Sequence, residues 1–117
     1  MFDPVVRRIS GGGAVYHDAG NLNFSFITDF TEKKLGYFKT LLAPILNTLQ
    51  QLGAPAELTE KNNILVNGKK ISGNSQHTNM RRMLSHGTLL FDSDLEVLRR
   101  VLKTDLMITK SRAVASI

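Results

Sequence analysis

Residues 64–72 read ILVNGKKIS, and no other stretch restricts the fold as tightly. An Asn-Gly pair between two apolar-rich runs is the favoured centre of a type I′ turn, because both central residues need positive φ. A two-residue turn of this kind fixes an antiparallel hairpin and its register. On the returning strand, if Ile71 faces the core, alternation puts Lys70 and Ser72 together on the opposite face. The rest of the chain must then supply what such a hairpin packs against.

Two longer strands are expected. Over residues 21–28, Leu22, Phe24 and Phe26 fall on one face, with Asn23, Ser25 and Thr28 mostly on the other. HGTLLF, residues 86–91, forms an apolar strand that His86 opens. Val5 to Ile9 and Ala14 to His17 read as shorter extended pieces. Between them the period changes. Leu35, Phe38, Leu41, Leu42, Ile45, Leu49 and Leu52 recur at helical spacing, and Gly53 with Pro55 marks the stop. Pro44 inside that pattern predicts a kink or a restart. Ser93 and Glu96 form a capping box ahead of a second helix through Leu95, Leu98 and Leu102. Thr104 to Ile117 has no clear period. These elements predict an α+β domain, mainly antiparallel sheet packed with two amphipathic helices. At 117 residues, the chain has the length of one domain with a modest core.

Composition removes several classes of function. Without cysteine there is no disulfide framework, thiolate metal site or cysteine nucleophile. No apolar run approaches the ~20 residues that cross a bilayer, and the N-terminus lacks a signal-peptide pattern, so a cytoplasmic protein is expected. A net charge of +5 favours an anionic partner. The basic residues are dispersed in pairs such as Arg7-Arg8, Lys69-Lys70 and Arg99-Arg100, which argues against nucleic acid. His17, His77 and His86 have no metal-ligand spacing. Met80 and Met83 read as core filling.

The chemistry concentrates in two places. In RRISGGGAVYHDAG, residues 7–20, three glycines let backbone N–H groups converge on an oxyanion, with Arg7 and Arg8 supplying charge. The glycines are not followed by Lys-Ser/Thr, which excludes a P-loop, and they lead into extended sequence, unlike a dinucleotide fingerprint. By itself the segment suits a flexible turn as well as ligand contact; the arginines, His17 and Asp18 tip it toward a ligand. The second place is Lys70: by itself Asn-Gly-Lys-Lys suits a solvated lysine beside a turn, but beside the glycine segment it points to a lysine fixed on a strand, which needs no reorganisation as charge develops.

Together the segments RRISGGGAVYHDAGNLNFSF (7–26), NNILVNGKKISGNSQ (62–76) and HGTLLFDSDLEVL (86–98) resemble, in order and spacing, the central part of the lipoate–protein ligase family, across roughly residues 4–103. The wider superfamily holds biotin–protein ligases and lipoyl and octanoyl transferases. The resemblance implies part of a biotin/lipoate ligase-type catalytic domain. It also implies a two-step reaction, in which ATP and lipoate give lipoyl-AMP and pyrophosphate. The lipoyl group then passes to a lysine of a lipoyl domain, in a 2-oxoacid dehydrogenase E2 subunit or glycine cleavage H protein. It further implies that Arg8, Gly13, Ala14, Val15, Tyr16 and Lys70 bind ATP and that Lys70 is catalytic. Lipoate would meet Lys70, with Ser10, His17 and His86 lining or supporting its pocket.

The chain also departs from the family pattern. Asn63 stands where the family usually has an aspartate, which leaves the Mg²⁺ ligands unassigned. Only four residues precede Val5, where the family carries an earlier strand pair, and no accessory C-terminal domain follows. A shortened single catalytic domain over residues 1–117 is therefore expected, with a sheet edge open to self-association or a partner chain. The alternatives are a non-catalytic or split fragment that binds lipoyl-adenylate or lipoyl domains, and a lipoyl or octanoyl transferase of the same superfamily.

Overall fold

The computed structural model describes residues 4–102. Its elements in chain order are β1 (Asn21–Asp29), a 3₁₀ turn (Glu32–Lys34), α1 (Phe38–Gln51), β2 (Ala56–Leu58), β3 (Ile64–Val66), β4 (Lys69–Ser72), β5 (Asn74–Thr78), β6 (Arg82–Leu90) and α2 (Leu95–Val101). They build two three-stranded antiparallel sheets, ordered β1-β6-β5 and β2-β3-β4. The α+β class holds, with the strands divided between two sheets.

The hairpin forms as its sequence requires. Val66 pairs with Lys69, and Asn67 and Gly68 adopt φ of 50° and 75°. Past Lys70 the simple alternation fails. Leu65 pairs with Lys70 and Ile64 with Ser72, so the register shifts and Ile71 is left unpaired, as in a β-bulge. Ser72, opposite Ile64, takes the buried position while Ile71 stays half-buried. The expectation that Ile71 faces the core with Ser72 turned away is corrected by this bulge.

Helix α1 runs through Pro44 without restarting and buries Phe38 and Leu42. Its end is a Schellman arrangement: Gly53 N–H donates to the Gln50 carbonyl, Ala54 N–H donates to the Leu49 carbonyl, and Gly53 has φ 90°. Leu35 lies before the helix and Leu52 caps it at 79% exposed, so neither joins its buried stripe. In α2 the N-cap is Asp94, whose carboxylate accepts from the N–H groups of Glu96 and Val97, so the Ser93 capping box is corrected. The buried apolar residues are Phe38, Leu42, Ala56, Ile64, Met83 and Leu98, and Ser72 and Ser85 are buried with them.

Four further expectations change. Val5 to Ile9 and Ala14 to His17 form no strand. Thr28 pairs with buried Met83 and shares the face of Phe24 and Phe26, whereas Ile27 on the other face is 70% exposed. Met80 is 68% exposed and has φ 70°, being a turn residue where Met83 alone fills core. Finally, β6 begins at Arg82, so His86 sits in mid-strand, paired with Ser25 on one side and Ser75 on the other. The segment from Thr104 onward lies outside the described residues.

Candidate active site

The glycine segment lies against the His86 side of the β1-β6-β5 sheet. Two side-chain bonds hold it there. Ser10 Oγ and His86 Nε2 share a hydrogen bond of 2.5 Å, and Ser75 Oγ donates to the Gly11 carbonyl at 3.1 Å. Burial, followed by the positive charge of Arg8, pushes the His86 pKa below its usual value. A neutral imidazole suits Nε2 to accept the Ser10 hydroxyl proton.

Arg8 folds onto its own loop. Its Nε donates to the Ser10 carbonyl at 3.4 Å, and one terminal nitrogen donates to the Gly11 and Gly13 carbonyls at 3.0 and 2.9 Å. Gly12 has φ 117°, and a Cβ there would come within 2.9 Å of the Arg8 guanidinium. The glycine therefore serves both a backbone conformation and a close approach. Among the described residues, the N–H groups of Gly11, Gly12, Gly13 and Ala14 have no protein acceptor.

The segment is anchored again at its far end. Asp18 accepts from Gly20 N–H at 2.9 Å and from Asp94 N–H at 2.7 Å, tying the loop exit to the start of α2. The Asp94 N–H bond is the main reason the Asp18 carboxyl stays below its usual range. Gly20 meets the Asp92–Ser93 backbone so closely that any Cβ would collide with it, and its carbonyl accepts from the N–H groups of Phe91 and Asp92.

Lys70 comes to the same region across a one-residue link. Only Gly73 separates β4 from β5, and its carbonyl accepts from Thr88 N–H on β6. A Cβ at Gly73 would lie 3.3 Å from Lys70 Cε, 3.4 Å from Nζ and 4.0 Å from Asn63 Oδ1. The amine thus rests over Gly73, two residues from the Ser75 that holds Gly11, and the Asn63 amide oxygen approaches the same glycine. Half-burial lowers the Lys70 pKa. No carboxylate among the described residues lies within ion-pair distance of it, since the ion pair described is Arg82–Asp29.

The structure brings Arg8, Ser10, Gly13 and His86 into one cluster, whereas Lys70 lies against Gly73, two residues along the chain from the Ser75 that bonds Gly11. Ala14 and Val15 are exposed and Tyr16 half-buried on the chain leading away. His17 stands apart: exposed, its Nδ1 meets Asn21 Nδ2 at 2.8 Å, four residues along β1 from the Ser25 that pairs with His86. Sequence reading missed Ser75 and Asn74. Asn74 Nδ2 donates to the Asn62 carbonyl at 2.8 Å and to Ser72 Oγ at 3.2 Å, fixing the loop before β3. Both lie in the 62–76 segment that carries the resemblance, but Asn-Ser-Gln-His-Thr has no apolar alternation to mark a strand or single them out. No group of three or more His, Asp or Glu residues able to hold a metal occurs among the described residues. With Asn63 offering a neutral oxygen only, these side chains do not fit a resident Mg²⁺. No helix among them is long and apolar enough to cross a membrane.

An α+β frame presenting unpaired loop N–H groups, a half-buried lysine and a Ser–His pair has the parts of a group-transfer site for an anionic substrate. The chain belongs to the lipoyl protein ligase A/B catalytic domain family, whose model it matches over residues 4–117. It is 51% identical over 113 residues to lipoate–protein ligase 1 of Staphylococcus aureus, covering 97% of this chain and 34% of that protein. It thus spans about a third of that relative's length. Among solved structures, one described as a lipoate protein ligase of T. acidophilum with bound lipoic acid aligns with TM-score 0.72 and 33% identity, over 79% of this chain and 42% of the other. A lipoate-protein ligase A bound with ATP aligns with TM-score 0.69 and 33% identity, over 80% and 42%. A structure described as a bi-partite lipoate protein ligase and its E2 lipoyl domain, from Thermoplasma acidophilum, gives TM-score 0.69 and 36% identity, over 79% and 37%.

Proposed function

We propose that this chain carries the adenylation site of an ATP-dependent lipoate–protein ligase, acting as a single catalytic unit in the cytoplasm. ATP enters as its Mg²⁺ complex and lipoate as co-substrate. A lipoate carboxylate oxygen attacks the α-phosphorus, the bond to the bridging oxygen breaks, and pyrophosphate leaves. The ε-amine of an acceptor lysine then attacks the lipoyl carbonyl, forming the amide, losing a proton and releasing AMP. The acceptor is a lipoyl domain, of a 2-oxoacid dehydrogenase E2 subunit or of glycine cleavage H protein.

The first step brings two anions together, so fixed positive charge and aligned donors lower its barrier most. The observation that carries the reading is the half-buried, unneutralised Lys70 lying against Gly73, two residues from the Ser75 that bonds a glycine turn whose N–H groups have no protein acceptor. In this reading the Gly13–Tyr16 segment and Arg8 form the nucleotide site. Lys70 lies between carboxylate and α-phosphate, and Ser10 with His86 supports the lipoate carboxyl end. His17 serves at most the pocket's outer edge, given its partner Asn21.

A second reading is favoured by one feature. Val5, Val6 and Ile9 are 97%, 86% and 67% exposed at the entrance to the glycine turn. Such surface suits a non-catalytic or split half covered by a partner chain or a second copy. Lipoate-dependent ATP–pyrophosphate exchange on the purified chain decides between them. Exchange establishes the ligase core. Its absence from a folded chain that still binds ATP establishes the half-site.

A further inference from the structure

The nucleotide reading gives Arg8 the task of neutralising phosphate, yet its guanidinium is already committed. Its bonds go to the Ser10, Gly11 and Gly13 carbonyls, and it fills the space that a Cβ on Gly12 would occupy. Among the described residues the peptide bonds are all trans. In a trans peptide the N–H of the following residue points opposite to the carbonyl. Drawing those three carbonyls toward the guanidinium therefore turns the N–H groups of Gly11, Gly12 and Ala14 away from it. These N–H groups are among those with no protein acceptor. The loop is a set of outward donors assembled around an inward cation.

We propose that Arg8 is the brace of the glycine turn, a positioning residue whose planar fork holds three carbonyls inward so that the opposed N–H groups face a phosphate group. This rests on the reading of the loop as a nucleotide site, and it changes how Arg8 serves that site. Arg8 reaches the nucleotide through the backbone it orients. Gly12 is its counterpart, bare so that the fork can sit above it. The geometry of the fork matters more than its charge, because an ammonium cannot span three carbonyls in one plane.

The test combines the ligand-free chain with Mg·ATP titration. In the ligand-free chain, NMR should show hindered rotation of the Arg8 terminal nitrogens, lost in Gly12→Ala. Freely rotating Arg8 nitrogens would overturn the brace whatever the ATP result. In titrations, Arg8→Lys should lose ATP affinity nearly as far as Arg8→Ala, by about tenfold, the effect of one charge-assisted hydrogen bond. Gly12→Ala should lose a similar factor, and the double variant Arg8→Ala/Gly12→Ala no more than Arg8→Ala alone. Near-native affinity in Arg8→Lys, or additive losses in the double variant, would overturn the proposal in favour of direct contact. A wild-type chain with hindered Arg8 but no ATP binding would overturn the nucleotide reading and the phosphate part of the proposal with it.

Discussion

At Lys70 two requirements oppose each other. Half-burial disfavours the charged amine, and no carboxylate among the described residues offsets that cost. The residue is therefore a poor choice for stability and a good one for meeting an incoming anion. Lys70→Met should raise the melting temperature, read by calorimetry, while lipoate-dependent pyrophosphate exchange falls by at least about 10²–10³-fold. A fall in both would mean that the lysine holds the fold. At Gly20 the situation is reversed, since its worth is wholly structural. Gly20→Ala drives a Cβ into the Asp92–Ser93 backbone and should cost about 1–3 kcal/mol by denaturant titration. Lys70 and the glycines were legible in the sequence because they stand in a motif. The bonds Asp18 makes to Gly20 and Asp94 were only half legible. Asp-Ala-Gly is the local spacing of an Asx turn, but its second partner lies 76 residues away.

Elements were readable to the degree that one local force decided them. The Asn67–Gly68 turn follows from positive φ alone, and the end of α1 from Gly53. β5 was unreadable because its five residues are polar and its place is set by β6 beside it. The bulge at Ile71 was equally hidden, since register arises from two strands together. Helix α1 offers a clean test of local against tertiary preference. Pro44 is exposed in the helix interior and has no N–H for the Thr40 carbonyl. Pro44→Ala should therefore stabilise the chain, by up to ~3 kcal/mol. Urea unfolding measures this, and a loss of stability would show that the helix needs its proline to turn correctly.

At the scale of the whole molecule, two of the described groups make folding depend on pH in the same sense below neutrality. His86 has its pKa pushed below 6.5, so beneath that pH the unfolded chain takes up a proton that the folded chain resists. Stability falls from about pH 6.5 until the folded imidazole also titrates. Asp18 is held below 3.8, so its contribution is complete above that pH and lost as pH falls through its folded value. Melting temperatures followed downward from neutral pH should decline in two stages. His86→Gln should flatten the first and Asp18→Asn the second. If neither variant changes the profile, the glycine segment is not held at both ends as described.

The single residue between β4 and β5 constrains this gene in a way that no substitution reveals. Strand faces alternate residue by residue, so one extra codon at Gly73 would turn Ser75 away from Gly11 and exchange the two sides of β5. One codon fewer would do the same. By contrast, codons added at the Asn67–Gly68 tip lengthen an exposed turn and leave the path from Lys70 to Ser75 unchanged. Insertions and deletions should thus be tolerated at the hairpin tip and excluded six residues later, however conservative the inserted residue.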